Sequence, residues 1–141
     1  MNPYEQMQRT ELEGRELEAS VLSRAANKLN RCAQNWDHRN SPEVREKFED
    51  ALAFTQRLWT FLQVEMTNIE SLVPESVRKN VFQLSCYVDQ TIATLYSGGS
   101  LEDLKSLIDV NREMAAGLLV NRPDMYDQSG ARAGTGLGIT G

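Results

Sequence analysis

Histidine is nearly absent from this 141-residue chain, which contains only His38, and cysteine is scarce, with only Cys32 and Cys86. Nucleophilic catalysis of the serine–histidine or cysteine–histidine kind needs a histidine beside a nucleophile and an orienting acid. His38 sits in a polar turn with no such pattern around it. A zinc site would have to draw both cysteines and His38 together without any close ligand pair. No catalytic role, metal site or cofactor is therefore expected. Two cysteines within helical patterns, in a reducing compartment, are expected to be buried thiols that act as small hydrophobes.

Long apolar runs are also missing, and nothing approaches the roughly 20 residues of a membrane span. The opening Met1-Asn2-Pro3-Tyr4-Glu5-Gln6 lacks the basic start and apolar core of a signal peptide, so a cytoplasmic location without membrane insertion is expected. An excess of basic residues is lacking too. The net charge is −5, which argues against direct nucleic-acid binding, because that rests on cations neutralising phosphates. No segment alternates with period two over the length of a strand.

What remains is helical periodicity, in a composition of 40% hydrophobic and 25% charged residues that suits one soluble domain with a real core. Asn2-Pro3 can cap a short leading helix. Thr10 and Glu13 offer a capping box for a long helix from about Glu11 or Arg15 to Trp36, with Gly14 weakening its start. Its expected inner stripe is Leu17, Val21, Ala25, Leu29, Cys32 and Trp36. The acids lie early and Arg24, Lys28 and Arg31 lie late, which suits the helix dipole.

Ser41-Pro42-Glu43 begins a second helix that runs to about Met66. A third runs from about Pro74 to Tyr96, with Val77, Val81, Leu84, Val88, Ile92 and Leu95 inward, and Ser97-Gly98-Gly99 stops it. Ser100 and Asp103 form a capping box for a fourth helix, whose apolar face is Leu101, Leu104, Ile108, Ala115 and Leu118. The pattern predicts an all-α antiparallel bundle of about four main helices over residues 1–121. Residues 122–141, with five glycines in the last twelve positions, are expected to be a flexible, disordered tail. Gly134, Gly136 and Gly138 follow no strand and open no helix, so they do not read as a phosphate loop.

Two features exceed what a plain bundle needs. Asn111 interrupts the apolar face of the fourth helix, where an amide must find partners; it is either a satisfied core residue or a polar anchor. On the second helix the apolar residues, from Val44 to Met66, span roughly 180° of the wheel, wider than the stripe of about 100° that a surface helix requires. Phe54 and Phe61 lie at one edge, Leu52 and Trp59 at the other. The arc fits either a central helix with two neighbours or a groove for a partner helix.

Three stretches taken together resemble the alphaproteobacterial flagellar protein FlaF family. They are Gln56-Arg57-Leu58-Trp59-Thr60; Leu72-Val73-Pro74-Glu75-Ser76-Val77-Arg78 with Tyr87-Val88 downstream; and Ser100-Leu101 through Ile108-Asp109-Val110-Asn111-Arg112 to Gly117-Leu118. Asn2, Tyr4 and Gln8 also suit the family's opening. Thr55 stands where the family often has asparagine, and the tail extends past the usual family length.

The resemblance implies a cytoplasmic, non-enzymatic factor for flagellin production and export. Its implied partners are flagellin, the regulator FlbT that influences flagellin mRNA translation, and the flagellar export apparatus. A flagellin-specific secretion chaperone or adaptor is the first expectation. A regulator acting directly on flagellin mRNA and a plain dimeric bundle are the alternatives. The expected partner groove lies between the second and fourth helices, with Leu58, Trp59, Leu62, Met114 and Leu118 as lining and Arg57, Asn111 and Arg112 as polar contacts. If Trp59 and Asn111 belong to the core, the groove is expected at Phe54 and Phe61 instead.

Overall fold

The computed structural model describes residues 2–68, 70–71 and 73–120; the expected tail lies outside them. Among these residues four α-helices follow one another, α1 Pro3–Gln34, α2 Pro42–Met66, α3 Glu75–Tyr96 and α4 Leu101–Val120, with a 3-10 turn, Trp36–His38, between α1 and α2. No strand occurs among the described residues. The all-α antiparallel bundle read from the sequence is the fold observed.

The caps explain most of the boundaries. The Asn2 side chain accepts from Glu5 N–H at 2.7 Å and Pro3 opens α1, so the predicted leading helix is real. It does not stop, however. The Thr10–Glu13 capping box is not formed; the Thr10 hydroxyl instead donates to the Gln6 carbonyl, and the helix continues through Gly14. One glycine in a helix interior costs only about 1 kcal/mol, which packing along the rest of the helix offsets. Ser41 takes the N-cap of α2, although its hydroxyl makes no capping hydrogen bond. Gly98, at φ 110°, makes the reversal after α3 in a backbone region that side chains disfavour. The Ser100–Asp103 box forms as expected: Ser100 N–H donates to Asp103 Oδ2 at 2.8 Å and Asp103 N–H to Ser100 Oγ at 3.2 Å.

Each helix has two main neighbours. α1 packs on α4, its largest interface, and on α2; α3 packs on α2 and α4. α2 and α4 therefore face one another diagonally across the core. Arg45 Nη2 donates to the Tyr96 carbonyl at 3.1 Å, and Gln63 Nε2 donates to Asp89 Oδ2 at 3.0 Å. These contacts tie α2 to α3 at two points along them.

The inner faces of α3 and α4 follow the sequence reading, with Leu84 and Leu101 half-buried at the margin. The inner face of α1 does not. Ala19, Leu22, Ala25, Ala26, Leu29 and Cys32 are buried, together with Arg15. Leu17 is 66% exposed and Val21 is half-buried. α1 makes its largest interface with α4, and three alanines, Ala19, Ala25 and Ala26, are among its buried residues. Trp36 falls past the end of α1, half-buried against the core with its ring tilted on Phe48. Cys32 is buried as expected, but Cys86 is exposed on α3.

Candidate functional site

The residues expected to line a groove between α2 and α4 fill the centre of the bundle. Trp59, Leu62, Met114 and Leu118 are buried. Asn111 is buried as well, and both its oxygen and its nitrogen have a hydrogen-bond partner. An indole N–H can only donate, so the Trp59 Nε1–H reaching Asn111 at 2.9 Å identifies the acceptor as Oδ1. The Asn111 Nδ2 group then donates to the Leu107 carbonyl, one turn back on α4, at 2.8 Å. The pair ties α2 to α4 across the core and fixes their axial register, the best-attested use of a buried polar group.

Among the described residues these two helices are diagonal neighbours, and the side chains named for the groove are enclosed between them. Leu58 is half-buried against the core, while Arg57 and Arg112 are exposed. The over-wide arc on α2 is explained for the most part by its contacts with two neighbouring helices. Thr55 is also buried and donates to the Ala51 carbonyl at 2.8 Å.

The other motifs support the frame in the same way. Arg78 Nε donates to the Val73 carbonyl at 3.2 Å, and its Nη1 reaches the Asn68 carbonyl at 3.4 Å. This clamps the connection between α2 and α3. The Tyr87 hydroxyl and Ser106 hydroxyl are hydrogen-bonded between α3 and α4.

An open feature lies elsewhere, on the outer side of α1 and α2. A cavity of about 610 Å³ is lined by Lys28, Arg31, Cys32 and Asn35 on the α1 side and by Val44, Lys47, Asp50 and Ala51 on α2. Cys32 forms part of its floor, with Sγ 3.9 Å from the Lys47 carbonyl. Burial pushes the Cys32 thiol above its ordinary range, and nearby Arg31 and Lys28 only partly oppose this. The burial thereby favours the neutral thiol over the nucleophilic thiolate. Lys28 Nζ stands 5.2 Å from the centre of the Phe54 ring, a cation–π arrangement.

Further along the same side, Phe61 is 54% exposed, one heptad beyond Phe54. This is the edge named as the fallback location. The α1 cations of the cavity, Lys28 and Arg31, were legible in the sequence with Arg24 as a row at helical spacing. Their fit with the α1 dipole supplied a sufficient explanation at that level, and the pairing with Lys47 of α2 exists only in the folded bundle.

Among the described residues, no group of three or more His, Cys, Asp or Glu side chains is placed to hold a metal ion. No helix there is long and apolar enough to cross a membrane.

The flagellar protein FlaF family model matches residues 1–118, and the chain belongs to that family. No curated protein and no solved structure in the comparisons matches it.

Proposed function

We propose that this FlaF-family chain is a flagellin-specific secretion chaperone and adaptor. It binds flagellin in the cytoplasm and, with the regulator FlbT, supports flagellin export and regulated synthesis; the export apparatus is a further partner. The role is non-catalytic. The observation that carries this reading is the family match over residues 1–118, which implies a flagellar function. A helical bundle that keeps apolar side chains exposed beside its core is consistent with it. Exported subunits that polymerise through amphipathic helices need such helices covered until export, and a helix lying in a groove is a common way to cover one.

Co-purification of the full chain with flagellin and FlbT, followed by sizing of the complexes, tests the reading. A defined complex with monomeric flagellin is the expected result. A chain that holds neither protein, under conditions where flagellin remains monomeric, overturns it. Direct action on flagellin mRNA is the second reading. The cations around Lys28 favour it, and the net charge of −5 opposes it.

A further inference from the structure

We propose that the outer side of α1 and α2 is a docking groove for an acidic amphipathic helix. The inference rests on the flagellin-binding reading and gives it a surface and a partner chemistry. In a chain of net charge −5, the cavity between these helices is rimmed by three cations, Lys28, Arg31 and Lys47, against one acid, Asp50. Among the described residues none of the three cations is held in an ion pair. Helical register extends the same charge: Arg24 lies one turn from Lys28, and Arg57 one turn from Phe54.

The other end of this side is apolar. Leu17 and Phe61 are exposed, and Val21 between them is half-buried. From Leu17 to Arg31 the face runs about 21 Å at 1.5 Å per residue, enough for roughly four turns of a partner helix.

Charge complementarity selects an anionic partner, and the apolar end selects one with aliphatic or aromatic side chains. A helix with acids toward one end and hydrophobes toward the other satisfies both. RNA satisfies the first condition alone. Its evenly charged backbone would also face the negative field of the whole chain, whereas a few carboxylates need only the local cations. A second copy of this chain would have to bring an acidic helix face of its own.

The test uses the full chain and a synthetic helical peptide carrying leucine and glutamate on adjoining faces. The same peptide with lysine for glutamate is its control. The groove variant is Lys28→Glu with Arg31→Glu and Lys47→Glu; the control variant is Lys79→Glu with Lys105→Glu, on α3 and α4. Circular dichroism verifies that each variant is folded. The proposal expects the acidic peptide to bind, the basic one not to bind, and added salt to weaken the complex. The groove variant is expected to lose about tenfold or more in affinity, while the control variant keeps it.

Failure of the acidic peptide to bind, equal binding of both peptides, or affinity unchanged in the groove variant overturns the proposal. So does preferential binding of single-stranded RNA. A two-copy mass that reverts to one copy in the groove variant also overturns it. Flagellin itself separates the two levels of the argument. If wild type and groove variant hold it equally, the groove is wrong and the chaperone reading stands. If neither holds it while the acidic peptide binds wild type alone, the groove stands and flagellin is not its occupant.

Discussion

The interior of the bundle and the outer side of α1 and α2 use the same kinds of residue to opposite ends. Both carry a large aromatic beside a polar group. In the interior, Trp59 and Asn111 are fully enclosed and hydrogen-bonded to one another. On the outer side, Phe54 and Phe61 stand among cations that no ion pair engages. Enclosure turns the first pair into a fastener between α2 and α4, because a buried amide or indole N–H is costly unless paired. The second set lies at the surface, with Phe61 exposed and Phe54 and Lys28 half-buried, so its cations remain within reach of a ligand. Trp59 and Asn111, from two of the stretches that carry the family resemblance, therefore build the frame, and the open surface is made mostly of side chains outside those stretches, with Arg57 at its margin.

The contrast can be broken most directly at Trp59. Trp59→Ala removes the largest fully enclosed side chain in the core and is expected to destabilise the fold by about 3–5 kcal/mol, read by chemical denaturation. A loss below about 1 kcal/mol would show that Trp59 is a surface anchor.

Next comes Asn111→Ala, which leaves the Trp59 indole N–H without its acceptor. A loss of about 1–3 kcal/mol is expected. Adding Trp59→Phe removes the orphaned donor, so the double variant should lose less than the sum of the two single changes. Additive losses would show that the hydrogen bond contributes no coupling.

A third change tests the continuity of α1, the helix that carries half of the outer side. Gly14 lies within α1, and a methyl group there would meet nothing within 4 Å. Gly14→Ala is expected to raise stability by about 0.5–1 kcal/mol. A fall in the denaturation midpoint would place a break in the helix at this point.

The smallest effect is expected at the outer side itself. Phe61→Ser should change stability by no more than about 0.5 kcal/mol. A larger loss would return Phe61 to the core and erase the distinction between the two regions.

Much of this arrangement was legible in the chain. Ser97-Gly98-Gly99 and the Ser100–Asp103 box mark a helix end and a helix start through chemistry that is local to a few residues, and both occur where expected. The inner faces of α3 and α4 were legible because their apolar residues offer one stripe each. α1 offers two. Leu17, Val21 and Ala25 share one flank, and Ala19, Leu22 and Ala26 another. Periodicity alone cannot rank two stripes of the same period. Similarly, Asn111 was compatible with a satisfied core amide and with an anchor until its acceptor position relative to Trp59 was fixed.

By itself, then, the sequence determined the helices, the ends of α2, α3 and α4, and the all-α bundle, since helix propensity, capping and apolar period all act within a few turns of chain. Only the tertiary structure decided which flank of α1 is buried, that Trp59 and Asn111 meet, and that Lys28 and Arg31 join Lys47 around one cavity. Those outcomes depend on which helices become neighbours. Trp59 lies on α2 and Asn111 on α4, and no local preference brings such distant residues together until the closing of the core makes their burial and pairing favourable in the same step.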